Sequence, residues 1–167
     1  MKIKIFYILA FFLVTQTSVA QKTLLQLLEK YNNNSVPYLK VTELETCFNQ
    51  VVILDAREKK EYQVSHLKNA IHVGFKNFSL NHTTKQLKNK EVQIVVYCSL
   101  GVRSEKIAIQ LQEAGYTNVY NLYGGIFEWK NNNNPVYNLD KIETQDVHAY
   151  SKNWGTWLLK GNKIYSN

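Results

Sequence analysis

A cysteine at the end of an apolar strand is the residue of this chain best placed to do chemistry. Residues 94–97 form a continuous apolar run, Cys98 follows directly, and Gly101 and Arg103 precede a helical pattern that opens at Ser104. The backbone N–H groups of such a loop and the positive end of the following helix can point at the sulfur and stabilise the thiolate. The pattern therefore predicts an activated, nucleophilic cysteine.

The loop after this cysteine is a candidate binding site for a small anion. Arg103 adds a fixed positive charge that can hold an oxyanion, and Gly101 allows a backbone conformation in which the loop amides converge. The hydroxyls of Ser99 and Ser104 can donate hydrogen bonds to the sulfur or to substrate oxygens, although Ser104 is equally suited to cap the helix. The expected active-site loop consists of Ser99, Leu100, Gly101, Val102, Arg103 and Ser104.

A second group of polar residues follows another apolar run, residues 51–54. Asp55 and Arg57 lie at the strand end where open α/β sheets place their sites, and a structural ion pair is the default interpretation, with direct chemistry as the alternative. His66 and His72 are weak candidates for a general acid or base, because an already ionised thiolate needs no partner base. No His, Cys or Asp cluster has the spacing of metal ligands, so we expect neither a metal nor another cofactor.

Four separated motifs resemble those of the single-domain rhodaneses, a family of sulfurtransferases. They are Val52 to Arg57, then Glu61-Tyr62 with Ser65 to Ile71, then Val96 to Ser104, and finally Tyr123 to Ile126 with Trp129. The resemblance covers about residues 38–135 and departs from the family pattern at Ser65, where glycine is more common. It implies that Asp55 braces neighbouring loops and that Arg57 faces the entrance of the site.

The order of the apolar runs predicts an α/β fold. Short apolar runs at 38–41, 51–54, 71–73, 92–97 and 119–122 alternate with helical segments. This rhythm favours a central parallel sheet flanked by helices on both faces, which the resemblance also implies. We divide the chain into a signal peptide (1–20), an N-terminal helical extension (21–37), a rhodanese-like domain (38–135) and a C-terminal aromatic and basic extension (136–167).

The first residues have the pattern of a secretory signal peptide. Lys2 and Lys4 precede an apolar stretch at 5–14 that is too short to span a bilayer, and small residues at 18–20 suit cleavage before Gln21. We therefore expect a protein that is exported across the inner membrane to the periplasm and is not inserted in the membrane once the signal is removed.

Two further features allow more than one interpretation. Cys47, in a short helix that Thr42 and Glu45 would open as a capping box, is interpreted as a buried apolar filler, with a resolving role toward Cys98 as the alternative. In the C-terminal extension, helical spacing would place four apolar residues on one face of a terminal helix: Tyr150, Trp154, Trp157 and Leu158. The default role of this helix is to stabilise the domain, and the alternative is a lid near Cys98 or a dock for a partner.

Loop length and charge narrow the expected function. Four residues separate Cys98 from Arg103, whereas phosphatases with a similar cysteine loop have one residue more and so a wider cradle for phosphate. The net charge of +7 falls to a modest value of about +5 once the two signal-peptide lysines are removed, and the remaining lysines are scattered, which argues against nucleic acid as a partner.

The resemblance implies a rhodanese-type enzyme, similar to thiosulfate:cyanide sulfurtransferases. Its partners would be a small anionic sulfur donor and a thiol or cyanide acceptor, with a protein acceptor as a further option. Cys98 would carry the sulfur as a persulfide. Two alternatives stay open: a rhodanese-fold binding or sensing module without turnover and, less favoured, a cysteine phosphatase.

Overall fold

The computed structural model of the chain describes residues 24–165. The signal peptide expected at residues 1–20 therefore lies outside the described residues. Residues 24–31 form a helix, α1, after which the N–H of Asn32 donates to the carbonyl of Leu28 at 2.8 Å. Within the described range, no helix is both long and apolar enough to cross a membrane.

A five-stranded parallel sheet forms the centre of residues 34–165. The four residues of its middle strand, Ile94–Tyr97, are all buried, which explains why that part of the sequence is continuously apolar. The predicted α/β fold with a central parallel sheet is confirmed. The strands are β1 (Tyr38–Leu39), β2 (Val52–Asp55), β3 (Ile71–His72), β4 (Ile94–Tyr97) and β5 (Val119–Leu122), in the spatial order β1-β5-β4-β2-β3.

Helices connect these strands, and the longest of them packs an apolar face on the sheet. Ile107, Ala108 and Leu111 share one buried cluster with Leu54 of β2 and Val96 of β4. Burial of a leucine or isoleucine side chain contributes about 1.5–3 kcal/mol, so this contact fixes the helix firmly over β4. The helices are α2 (Val41–Cys47) with a 3-10 turn (Phe48–Gln50), α3 (Lys59–Val64), α4 (Leu80–Gln86), α5 (Val102–Glu113) and α6 (Gly125–Asn131).

The chain changes its direction of travel across the sheet between β2 and β4. From β2 it proceeds to β3 on one side, and from β4 it proceeds to β5 on the other. The two strands pair in parallel with Asp55 beside Tyr97. Open α/β sheets form crevices at such switch points, outside the carboxyl ends of the strands. The fold therefore brings the segments that follow Asp55 and Tyr97 to one place.

The start of α2 differs from the prediction. The carboxylate of Glu43 accepts a hydrogen bond from the backbone N–H of Lys40 at 2.7 Å, and the helix begins at Val41. The capping interaction thus lies two residues before the predicted pair of Thr42 and Glu45. Because Val41 opens the helix, β1 is correspondingly shorter than the run 38–41 indicated.

Cys47 is not the buried filler that the sequence predicted. It is half-buried near the end of α2, and its Sγ lies 3.4 Å from the carbonyl oxygen of Glu43. Cys47 and Cys98 are both free thiols.

Residues 136–165 do not form the predicted terminal helix. Gly161 adopts a φ of 86°, in the left-handed region that favours glycine, and the chain there leads into a strand rather than a helix. The elements are an antiparallel pair, β6 (Val136–Tyr137) and β7 (Glu143–Thr144), a parallel pair, β8 (Asp146–His148) and β9 (Asn162–Ile164), and a one-turn helix α7 (Lys152–Gly155).

The side chains that anchor this extension are aliphatic rather than aromatic. Val147, Ala149 and Leu158 are fully buried, whereas Trp154 and Trp157 are only half-buried. The helical face expected from the aromatic spacing is therefore absent, and the extension is held by strand pairing and by small apolar contacts.

Candidate active site

Cys98 directly follows β4 and is almost enclosed by the loop that leads into α5. Its side chain is 2% exposed, and the backbone N–H of Gly101 donates to Sγ at 3.1 Å. Gly101 reaches this position with a φ of 111°, where a side chain would cause strain. The loop thus folds the Gly101 amide back onto the sulfur, which is one of the converging N–H groups that the sequence predicted.

The first turn of α5 adds a hydroxyl near the same sulfur. Helix α5 begins at Val102, not at Ser104, and Ser104 therefore lies inside the first turn and does not cap the helix. Its Oγ is 3.5 Å from the Sγ of Cys98. Of the two roles expected for Ser104, the structure supports the contact with sulfur.

The pKa of the Cys98 thiol lies below its ordinary value. Burial raises the pKa, but the positive charge of Arg103 and the hydrogen bonds from Ser104 and Gly101 outweigh that effect. Because the thiolate is the nucleophilic form of cysteine, these contacts favour the reactive state.

Asn121 is a buried polar residue of β5 that the sequence analysis did not single out. Its Nδ2 donates to the carbonyl of Gly101 at 2.8 Å, and its Oδ1 accepts from the Ser104 hydroxyl at 2.7 Å. A serine hydroxyl has one proton, so while Ser104 donates to Asn121 it cannot donate to Cys98. The only sequence signal for this residue is an amide side chain within an otherwise apolar strand.

The N-terminal turn of α6 binds the carbonyl groups of the cysteine loop. The N–H of Ile126 donates to the Cys98 oxygen at 2.9 Å, and that of Phe127 donates to the Ser99 oxygen at 3.2 Å. A Cβ on Gly125 would lie 2.3 Å from the Cys98 oxygen, so only glycine allows this approach. In a trans peptide the next N–H points opposite to the carbonyl, so the following amides of the loop point away from α6.

Arg103 forms a bidentate ion pair with Glu61 of α3. Its Nη1 lies 2.6 Å from Oε2 and its Nη2 lies 2.8 Å from Oε1, while Nη2 also donates to Ser99 Oγ at 3.0 Å. The side chains of Arg103 and Glu61 are 14% and 1% exposed. Burial raises the pKa of Glu61, but the hydrogen bonds and charge of Arg103 bring it below its ordinary value. Arg103 therefore links the cysteine loop to α3.

Glu61 belongs to a motif of the resemblance, yet no role in the site was predicted for it. The distance along the chain explains this, because Glu61 lies 42 positions before Arg103. The hydroxyl of Ser99, expected to serve the sulfur or a substrate, bonds to this pair instead and lies 3.3 Å from Glu61 Oε1.

Asp55 and Arg57 form a second ion pair, which is completely buried. Nη2 of Arg57 lies 2.6 Å from Oδ2 of Asp55 and also donates to the carbonyl of Ser65 at 2.6 Å. The hydroxyl of Tyr97 donates to Oδ2 of Asp55 as well. The expectation that Arg57 faces the entrance is wrong, since its side chain is 0% exposed. The pair instead connects the ends of β2 and β4 to the loop at Ser65.

The two histidines considered as general acids or bases contact other groups. The ring of His66 stacks on Tyr62 with 4.0 Å between centroids, and Nε2 of His72 lies 2.8 Å from the carbonyl oxygen of Arg57. Among residues 24–165, no group of three or more His, Cys, Asp or Glu side chains is arranged to hold a metal ion.

The C-terminal extension reaches the loop of Cys98. Ser65 donates its hydroxyl to the carbonyl of Asp146 at 2.6 Å, which ties β8 to the end of α3. Farther along, the ring of Tyr150 lies 4.8 Å from Cζ of Arg103. The extension therefore contacts the charged side chain that acts on Cys98.

Comparison with protein families agrees with this arrangement. Residues 41–132, which include the cysteine loop, Glu61 and the Asp55–Arg57 pair, match the Rhodanese-like domain family. The chain belongs to the rhodanese-like family. The resemblance based on the four motifs is thereby confirmed, and membership of this family supports a sulfurtransferase type of activity. The C-terminal extension lies outside the matched region.

The curated relatives of this rhodanese-like chain include two kinds of protein. It is 40% identical over 84 residues to the tRNA uridine(34) hydroxylase of Aster yellows witches'-broom phytoplasma, covering 47% of this chain and 27% of that protein. It is 34% identical over 80 residues to the thiosulfate sulfurtransferase GlpE of Coxiella burnetii, covering 48% of this chain and 72% of that protein. The chain thus spans about a quarter of the hydroxylase and most of the sulfurtransferase.

Solved structures support the rhodanese fold. The thiosulfate sulfurtransferase from Pseudomonas aeruginosa aligns with a TM-score of 0.57 and 22% identity, covering 74% of this chain and 23% of that one. The rhodanese-like domain of an Anabaena protein aligns with a TM-score of 0.56 and 22% identity, covering 62% of this chain and 80% of that one. At this level of identity the comparison shows the fold alone.

Proposed function

We propose that this protein is a sulfurtransferase that carries a sulfane sulfur as a persulfide on Cys98. The observation that carries the proposal is the environment of the thiol, which is enclosed at the switch point of the sheet and has a lowered pKa. The similarity to a relative named thiosulfate sulfurtransferase supports the same chemistry.

The first half-reaction is attack of the Cys98 thiolate on the sulfane sulfur of a donor such as thiosulfate. A bond forms between Sγ of Cys98 and the sulfane sulfur. The bond from the sulfane sulfur to the sulfonate sulfur breaks, and sulfite leaves with the electron pair. The product is a persulfide anion on Cys98, so the total negative charge is conserved. This is covalent catalysis by a nucleophile that is already ionised.

The second half-reaction returns the enzyme to its starting state. A thiophilic acceptor, either cyanide or a thiolate, attacks the outer sulfur of the persulfide. The sulfur–sulfur bond breaks with its electron pair on Cys98, which becomes a thiolate again, and thiocyanate or a new persulfide departs. A protein thiol is a further acceptor that fits this step.

The loop residues have complementary roles in this scheme. The N–H of Gly101 stabilises the anionic sulfur, and Arg103 orients the anionic donor while its pairing with Glu61 keeps it in place. Ser99, Leu100, Val102 and Ser104 form the remainder of the loop around these groups. The Asp55–Arg57 pair supports the strand ends and takes no part in bond making.

Two other functions make different experimental predictions. A binding module of the rhodanese fold would retain the loop but form no persulfide, and a cysteine phosphatase would hydrolyse an aryl phosphate. The short loop between Cys98 and Arg103 favours sulfur over phosphate. The hydroxylase relatives carry little weight for the whole activity, because this chain spans so little of their length.

Intact mass spectrometry after treatment with thiosulfate or polysulfide tests the proposal. We expect the wild-type protein and Cys47→Ser to gain one sulfur atom and Cys98→Ser to gain none. When thiocyanate formation from thiosulfate and cyanide is measured, the wild-type protein and Cys47→Ser should turn over and Cys98→Ser should not. Absence of persulfide and of turnover with several donors would favour the binding module, and persulfide on Cys47 would overturn the assigned nucleophile.

We also propose that the protein is exported and acts in the periplasm. The support is the basic, apolar and small-residue pattern of residues 1–20. N-terminal sequencing of protein from its native host should give a chain that starts at Gln21. A chain that starts at Met1 and remains in the membrane fraction would contradict the proposal.

A further inference from the structure

The side chain of Tyr150 completes the surroundings of Arg103, although it comes from outside the family domain. One edge of the guanidinium is paired with Glu61, Nη2 also binds Ser99, and the ring of Tyr150 lies 4.8 Å from Cζ. An aromatic ring at this distance attracts a guanidinium through its π electrons. Among the charged groups, Glu61, Cys98 and Arg57 act on Arg103 electrostatically, and His148 interacts with it as well.

The backbone at Tyr150 indicates that this placement is imposed by its surroundings. Tyr150 has a φ of 64°, a left-handed conformation that a bulky side chain adopts at a cost. Its N–H donates to Nδ1 of His148 at 3.1 Å, and the N–H of Ala149 donates to the carbonyl of Ile164 at 2.8 Å. The first bond is local to the turn, and the second continues the pairing of β8 with β9 by one residue. Together they hold the strained residue in position.

The extension is fastened to the same helix that carries Glu61. Strand β8 packs against α3. The backbone carbonyl of Asp146 accepts a hydrogen bond from the hydroxyl of Ser65, the residue just after that helix. Tyr150 and Glu61, which both contact Arg103, are therefore held by two elements that pack against each other, β8 and α3. Half of the Tyr150 side chain stays exposed, at 50%, and its ring meets Trp154 edge-on with 5.9 Å between centroids.

We propose that Tyr150 is a positioning residue, which holds the Arg103 guanidinium in the orientation that draws anionic reagents to Cys98. Fixing one face of a long, flexible side chain reduces the conformational entropy that is lost when an anion binds. For a sulfur donor such as thiosulfate this inference rests on the proposed function. For any other anion that reacts with Cys98, the inference is independent of the proposed function.

The test compares two alkylating agents that react with the same thiolate. Iodoacetate is anionic and iodoacetamide is neutral, so the ratio of their rates measures attraction of an anion and is independent of the fraction of Cys98 that is ionised. Cys47→Ser is the background, so that one thiol reacts. Tyr150→Asn removes the ring and keeps a residue that tolerates a positive φ, whereas Tyr150→Phe keeps the ring.

We expect Tyr150→Asn to lower the rate ratio about threefold, in line with a cation–π contact at a partly exposed site. Tyr150→Phe should keep the wild-type ratio. Leu159→Ala is the matched control, because Leu159 lies in the same extension and is 75% exposed, and it should also keep the ratio. In an Arg103→Ala background the ratio should already be low, and Tyr150→Asn should lower it no further.

Persulfide formation with thiosulfate, measured on the same variants, separates this inference from the proposed function. A lowered ratio in Tyr150→Asn with no persulfide in the wild type, from thiosulfate or from the other donors, would support the positioning role and reject the sulfurtransferase. Persulfide in the wild type with an unchanged ratio in Tyr150→Asn would reject the positioning role alone. An equal effect of Tyr150→Asn with and without Arg103 would also reject it, since the ring would then act by another route.

Discussion

The molecule contains two arginine–carboxylate pairs at the switch point of its sheet, and they are built differently. Asp55 and Arg57 are two residues apart and completely buried, and they also bind Tyr97 and Ser65. The partners Glu61 and Arg103 come from two helices, and Arg103 retains some exposure. The first pair therefore joins elements of the fold, whereas the second lies where its charge acts on Cys98. The same two functional groups serve stability in one place and reactivity in the other.

The largest effect should come from breaking the fully buried pair. Arg57→Ala leaves the carboxylate of Asp55 buried without its partner, and such a loss typically costs about 3–5 kcal/mol. Chemical denaturation should show this decrease in the free energy of unfolding. The fraction that remains folded should still form a persulfide on Cys98. A decrease below about 1 kcal/mol would show that the buried pair does not differ from a surface pair.

Arg103→Ala should have a smaller effect on stability and a larger one on chemistry. We expect a loss of about 1–3 kcal/mol, because Glu61 is left buried with fewer hydrogen bonds. Removal of the positive charge should raise the pKa of Cys98, which titration with iodoacetamide measures. The wild-type midpoint should lie below the ordinary thiol value, and the variant should lie between the two, since the Gly101 amide remains. An unchanged midpoint would contradict the role given to this charge.

The smallest effect should be on the pH dependence of stability in acid. The folded-state pKa of Glu61 is lowered, so this carboxylate contributes stability above its unfolded pKa, and the contribution is lost as the pH falls through the folded value. Glu61→Gln should therefore reduce the loss of stability below about pH 4.3, the ordinary glutamate pKa. Melting temperatures measured from neutral to acid pH should converge for wild type and variant. Parallel curves would show that Glu61 does not contribute this titration.

Much of this site could be predicted from local patterns in the sequence. The apolar run before Cys98 specified a central strand, and Gly101 marked the turn that brings an amide to the sulfur. Glu61 and Asn121 were not assigned, because their partners lie 42 and 17 residues away and no periodicity connects them. Such contacts are decided by the strand order, which sequence patterns describe only in outline.

The C-terminal extension shows a different limit of sequence patterns. The spacing of Tyr150, Trp154 and Trp157 indicated a helix, but only Lys152–Gly155 is helical. Parallel pairing of β8 with β9 joins segments 16 residues apart and overrides the helical preference between them. The extension is also where the left-handed Tyr150 occurs, a conformation that no propensity scale would assign to tyrosine.

The single proton of Ser104 gives the loop a response to charge that needs no backbone movement. Its oxygen lies 2.7 Å from an amide oxygen of Asn121 and 3.5 Å from the Cys98 sulfur. Rotation about one C–O bond therefore redirects the proton from a neutral acceptor to a negative one. In the proposed reaction, where the sulfur gains and loses charge, this hydroxyl can follow the charge within the time of a bond rotation.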